Sequence, residues 1–511
     1  MNHQGTAPGL TGWLEAWSRR DTFWVIGLGL VFFLLYAQTR SCAPDDWDSI
    51  QFIFGMDEFN LMKHQPHPPG YPLYVASGWF VRACTGWDNH VALTLVSAMG
   101  GGVLVASIYA LARLVMPRGW ALPGTMVVGF TPVFWMYSIK AMSDVPASSF
   151  FLAVVLFATA AWLHRRPACL IAAAILAGLA GGFRPQNSLV LIWLVVLAST
   201  RFPKTWRLVA PTIWVLTSLC WLIPTMAMVA HVSGGHFWTT YWEANGQQFR
   251  WRFDKPNIYA GAALGQDPLL VFRLIRHAGA CFIQGLAPFG HPLFFLLAPA
   301  ILAGWWQGVV WSGCQQMQAT RGVVLFSLQW MVPYALMVFF FLPSEQRYYI
   351  PVLAPLMLLA VAGGCFWLSG FAPRFRSWIY LAPVLFAAAT LPFAWQNHTE
   401  PPPPIRSIDW LSARVAPADR SLVVFVPGSA GRHLEFLKPG FRKVTSNSLL
   451  EQLPGLIHKE GIREIYTDIP DLPQAAGRPD WVLVPQVEFR RSQVIHPKHS
   501  KSVLYRLEGW R

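Results

Sequence analysis

Thr22–Phe52 reads TFWVIGLGLVFFLLYAQTRSCAPDDWDSIQF. It joins an almost unbroken apolar run, Thr22 to Tyr36, to a polar segment with three aspartates, Asp45, Asp46 and Asp48. Such a run is a membrane-spanning helix when the rest of the chain supplies more of them, and no small-residue cleavage signal follows it. Composition agrees. Of 511 residues, 54% are hydrophobic and 13% charged, with 26 tryptophans, which is too apolar for a soluble enzyme. Further apolar segments run Val91–Val115, Trp120–Tyr137, Ser148–Leu163, Ala168–Phe183, Leu189–Ala198, Leu208–Ala230, Leu293–Trp311, Val323–Leu342, Tyr349–Leu368 and Ile379–Phe393. Together they predict an all-α polytopic membrane protein of about 11 transmembrane helices.

The net charge of +14 does not point to nucleic acid, because the arginines and lysines sit in short clusters between apolar runs. Arg19/Arg20, Arg113/Arg118, Arg165/Arg166, Arg201/Lys204/Arg207, Arg321 and Arg374/Arg376 fall on one side of the predicted topology, which the positive-inside rule makes the cytoplasm. Residues 1–21 are then a cytoplasmic N-terminus and 22–396 the membrane body, with outer loops at 41–90 and 232–278. Residues 397–511 form an extracytoplasmic domain.

That last region changes character. A stiff PPPP spacer at Pro401–Pro404 precedes SLVVFVPG, REIYTDIP, DWVLVPQV and SVLYRL, which read as strands, and SNSLLEQLPGLIHKEG, which reads as a helix. A small α/β domain follows. The turn VPGSAGRH lacks the Lys-Ser/Thr pair of a phosphate loop and reads as an ordinary strand-to-helix turn.

Chemistry concentrates on the outer side. Asp45, Asp46 and Asp48 stand at the exit of the first helix, where carboxylates stay hydrated while facing the bundle. Asp46 and Asp48 have the spacing of a two-carboxylate metal clamp, and His64 and His67 that of an imidazole pair, so a divalent metal is an option but not a requirement. In HQPHPPGYPLY, the prolines hold the backbone extended and Gly70 permits a turn, which makes His64, His67, Pro68, Gly70 and Tyr71 a preshaped wall. YWEANGQQFRWRF, Tyr241–Phe253, interleaves aromatic and basic residues and reads as an interfacial helix or a lid.

An aspartate after the first helix followed by HPPGYPLY resembles the GT-C superfamily of integral-membrane glycosyltransferases. The resemblance is strongest to the protein O-mannosyltransferase-like and aminoarabinose-transferase-like branches, including the group marked by GDS-x-E and HPPGYPLY. It covers residues 45–199 best. WDSIQF matches at Asp48 and Ser49 but carries Gln51 where the family has an acid. The resemblance implies a polyprenyl-phosphate sugar donor and a catalytic acid in the first outer loop, here Asp48 with Asp46 as substitute. Asp144 falls at a second acidic position. Lys140, Arg184, Arg347 and Tyr348 then fall to the donor phosphate, the last two through the late R-Y-x-x-P segment. One base and no protein nucleophile imply inversion. The partners expected are the lipid-linked donor, membrane lipids and an acceptor that is protein, lipid or glycan, in a bacterial inner membrane. A transporter or flippase of lipid-linked sugars shares this topology, and a noncatalytic lipid-sugar-binding relative would tolerate Gln51.

Overall fold

The computed structural model describes residues 18–115, 118–254, 272, 275–276, 279, 315–341, 345–358, 380–446, 448–449, 451–452, 461–496 and 499–510. The chain divides into two compact units, Met1–Arg40 with Phe52–Pro392, and Ser41–Gln51 with Phe393–Arg511.

The first unit is helical. The apolar runs become α1 (Arg19–Gln38), α4 (Asn89–Val115), α7 (Asp144–His164), α8 (Pro167–Phe183), α9 (Pro185–Ser199), α10 (Trp206–Val232), α12 (Gln315–Phe341) and α13 (Leu381–Thr399). Four of these, α1, α4, α7 and α10, are long and apolar enough to cross a bilayer. The predicted single span Trp120–Tyr137 is instead two helices, α5 (Arg118–Phe130) and α6 (Pro132–Ser138). Pro132 is the cause: it disfavours helical geometry at Thr131, whose ψ of 140° is extended. Leu293–Trp311 lies outside the described residues, and the Tyr349–Leu368 segment is helical where described, over 350–358. The polar stretch 41–90 contains α2 (Trp47–Asp57) and α3 (Pro72–Thr85), and α11 (Phe237–Asp254) occupies the aromatic and basic segment.

Small residues set the helix spacing. A Cβ on Gly102 of α4 would lie 2.5 Å from the Gly29 carbonyl oxygen of α1, so the two backbones touch. Asp21, fully buried on α1, accepts from Arg113 Nε at 2.9 Å, Arg118 Nη2 at 2.7 Å and the Tyr109 hydroxyl at 3.0 Å. Two of the arginines read as topology markers are therefore internal partners of a carboxylate.

In the second unit, α14 (Pro403–Arg414) precedes a five-stranded sheet in the order β2-β1-β3-β5-β4. Its strands are β1 (Val423–Val426), β2 (Arg442–Lys443), β3 (Glu464–Thr467), β4 (Val482–Arg490) and β5 (Lys501–Glu508). β1 pairs in parallel with β2 and β3, while β5 runs antiparallel to β3 and β4. All four residues of β1 are buried. Val424 and Val426 enter one apolar core and Val423 and Phe425 the other, which is why its sequence, VVFV, does not alternate. α15 (Gly431–Leu437) follows β1.

Candidate functional site

In the first unit, HPPGYPLY is held by its own backbone. Gln65–Pro66 and Pro68–Pro69 are cis, and Gly70 has φ +103°. A Cβ at Gly70 would meet Leu61 at 3.1 Å and Phe59 at 3.2 Å. Tyr71 then initiates α3 with Pro72 at its first position. The His67 ring packs on Phe52 and Tyr71, with Nε2 at 3.2 Å from the Tyr71 hydroxyl. His64 instead caps the 3-10 turn Leu61–Lys63 in the left-handed region.

Tyr71 leads to a buried charge cluster. Asp144, in the first turn of α7, accepts from Arg184 Nη2 at 2.5 Å, and Arg347 Nε lies 3.8 Å from the same carboxylate oxygen. Arg184 sits where α8 ends and α9 begins, a junction set by Pro185, and its guanidinium lies 4.6 Å from the Tyr348 ring and 5.6 Å from the Tyr71 ring. Arg347 Nε is also 3.4 Å from Glu345 Oε2. Lys140, fully buried, lies over the Tyr137 ring at 5.3 Å. Among the described residues, two guanidinium groups (Arg184, Arg347) are thus gathered with two carboxylates (Asp144, Glu345), all below 10% exposed, and Lys140 is buried four residues before Asp144. Paired guanidinium groups suit phosphate, which they can bind through several parallel N–H donors. Glu345 was not singled out in the sequence, because an acid beside RYY looks like ordinary loop polarity.

In the second unit, the aspartates after the first helix meet residues far along the chain. Asp45 forms a buried ion pair with Arg491, which also donates to the His499 carbonyl at 3.2 Å. Asp46 Oδ2 is 2.8 Å from His496 Nε2, and its Oδ1 accepts the Asp48 amide at 3.0 Å. Trp47 Nε1 donates to the Ser429 carbonyl at 2.6 Å. Asp48 is half-buried. The VPGSAGRH turn is filled by the protein itself. Asp468 accepts from the Gly428 amide at 2.5 Å, the Ser429 hydroxyl at 2.8 Å and the Ala430 amide at 2.9 Å, occupying the place an anion would take. His433, His496 and His499 are buried together, and burial pushes the His433 imidazole down to about 3, so the ring is neutral. Of the metal pairs read from the sequence, Asp46/Asp48 and His64/His67, only Asp46 joins a larger group among the described residues, and its companions are His496 and His499. The signal for these was the second H-x-x-H spacing, HPKH.

The family described as dolichyl-phosphate-mannose-protein mannosyltransferase matches residues 67–231, which include HPPGYPLY, Lys140, Asp144 and Arg184. Among solved structures, ArnT from Cupriavidus metallidurans, bound to undecaprenyl phosphate, aligns over 97% of this chain and 98% of its own at 11% identity, with a TM-score of 0.50. The apo oligosaccharyltransferase of Archaeoglobus fulgidus aligns over 96% of this chain and 75% of its own, also at 11% identity and a TM-score of 0.50. No protein of curated function matches by sequence. Residues 67–231 are thus similar to this mannosyltransferase family, and the chain shares the fold of these two solved structures.

Proposed function

We propose that the protein transfers a sugar from a polyprenyl-phosphate donor to an acceptor hydroxyl, with inversion, on the outer face of a bacterial inner membrane. The buried pair of Arg184 and Arg347 at Asp144 carries the proposal, with Lys140 buried four residues before that carboxylate. A leaving lipid phosphate gains charge as the glycosidic bond breaks, and cations fixed in a low-dielectric site stabilise that charge without reorganising. Arg347 and Arg184 bind the phosphate, Tyr348 lies against both guanidinium groups, and Asp144 with Glu345 holds them in position. Tyr71, backed by His67, forms the wall that faces Arg184. The undecaprenyl phosphate held by ArnT, which shares the fold, supports a donor on such a lipid.

Asp48 takes the acceptor proton. Asp46 is engaged with His496 and with the Asp48 amide, which suits it to fixing this loop rather than to collecting a proton. The basic clusters at Arg165/Arg166 and Arg201/Lys204/Arg207 support a cytoplasmic N-terminus and residues 397–511 on the outer side. The test is to give the purified protein a panel of polyprenyl-phosphate sugars and compare it with Arg347→Ala, Asp48→Asn and Asp46→Asn. Donor turnover should fall at least a hundredfold in Arg347→Ala, on the order of what loss of one charge-stabilising donor costs, and fall strongly in Asp48→Asn. Undiminished turnover in Arg347→Ala overturns the donor site. Passage of a solute into proteoliposomes with no donor consumed would make the protein a transporter.

A further inference from the structure

We propose that the second unit binds one divalent transition-metal ion, zinc-like in its preferences, through Asp46, His496 and His499. Their candidate ligand atoms all lie within 4.8 Å of one another. His496 and His499 are 3% and 8% exposed, and their rings stand 4.7 Å apart. His433, with no exposed surface, adds a third imidazole whose ring centre is 5.6 Å from that of His499. Two imidazoles and one carboxylate form a nitrogen-rich set that suits zinc, whereas magnesium and calcium prefer oxygen alone.

The hydrogen bonds of these side chains say what binding must change. The His499 amide donates to His496 Nδ1 at 3.1 Å, so the ring proton is on Nε2, directed at Asp46 Oδ2. Coordination through Nε2 releases that proton to solvent or transfers it to Nδ1, and in the second case the His499 amide contact opens. Bonds of about 2.0–2.1 Å in a tetrahedral site place ligand atoms about 3.4 Å apart, so the 496–499 turn and the Asp46 loop draw together as the ion enters. The ion would clamp two segments 450 residues apart, fixing the residue two positions before Asp48. This site does not depend on the glycosyl-transfer reading.

The test uses the full-length protein, purified in detergent without a polyhistidine tag, stripped with chelator and dialysed against Zn²⁺ or against Co²⁺ as a spectroscopic probe. One ion per chain is expected, with cobalt d–d bands of a low-coordinate site and a melting temperature raised by Zn²⁺. His496→Gln is the decisive variant, since its amide keeps a donor for Asp46 but is a poor ligand. At least tenfold weaker Zn²⁺ binding and loss of the cobalt bands are expected in His496→Gln and His499→Gln, while Asp48→Asn retains both. A folded wild-type protein that binds no stoichiometric ion, or folded glutamine variants that bind it as the wild type does, would reduce the cluster to an Asp–His hydrogen bond. Because the readouts are metal content and spectrum, this outcome is independent of donor turnover.

Discussion

Asp144 is held by two arginines, and that sharing predicts an asymmetric response to mutation. Asp144→Asn leaves Arg184 and Arg347 buried side by side, whereas Arg184→Gln leaves Asp144 with Arg347. Removing one partner of a buried pair costs roughly 3–5 kcal/mol, so both variants should melt well below the wild type, Asp144→Asn lower of the two. Thermal unfolding in detergent checks the order, and the double variant Asp144→Asn/Arg184→Gln should regain part of the loss. At this scale the sequence was informative where chemistry left an unusual residue in an apolar setting: Lys140, Asp144, Arg184 and Arg347 are charges that a membrane body rarely carries. It was silent about the pairing of Asp46 with His496. Nothing local links two residues 450 positions apart, and the contact exists only once the sheet of the second unit has formed.

Among the elements, long apolar runs declared themselves, since about 20 apolar residues have few alternatives to a spanning helix. The first polar loop was harder to read. Its prolines and glycine dominate the pattern and hide α2 and α3, which are short and are separated by the polar residues Glu58 and Lys63. The break at Pro132 was likewise masked by continuous hydrophobicity. Packing between elements gives a second prediction. A Cβ on Gly178 of α8 would collide with the Thr217 hydroxyl and lie 2.7 Å from the Trp214 carbonyl of α10. Trp221 also donates to the Gly178 carbonyl at 2.8 Å. Gly178→Ala should destabilise the first unit by about 1–3 kcal/mol through overpacking, whereas Gly246→Ala, which meets nothing within 4 Å, should not; melting temperatures separate them. A third concerns pH. Burial alone would raise the Glu435 carboxyl, but hydrogen bonds from Lys443 and Arg432 outweigh it and hold it low. Its folded value lies below its unfolded one, so its contribution is complete above about pH 4.5 and lost as pH falls further. Glu435→Gln should flatten the acid side of the stability profile, by less than about 1 kcal/mol for so exposed a pair.

At the scale of the whole molecule, the segment Ser41–Gln51 belongs to the same compact unit as Phe393–Arg511, though α1 precedes it. Composition shifts along a chain cannot show such an exchange, because they report neighbours in sequence only. Arg491→Ala should therefore unsettle the beginning of the chain from its end, leaving Asp45 buried without its cation. Hydrogen exchange over 41–51 should accelerate, and the double variant Asp45→Asn/Arg491→Leu should slow it again. Sidedness is open to direct measurement: Arg490 is 71% exposed, and a cysteine there should react with a membrane-impermeant maleimide applied to intact spheroplasts.

The anchoring of Asp21 also has a bearing on biogenesis. Its partners Arg113 and Arg118 are synthesised 92 and 97 residues after it. Until they arrive, a carboxylate near the start of the first helix is stable only in contact with water or head groups. The first helix is therefore expected to take its final seat only when α4 and α5 follow, so that its insertion and its seating are predicted to be separated by the translation of almost a hundred residues.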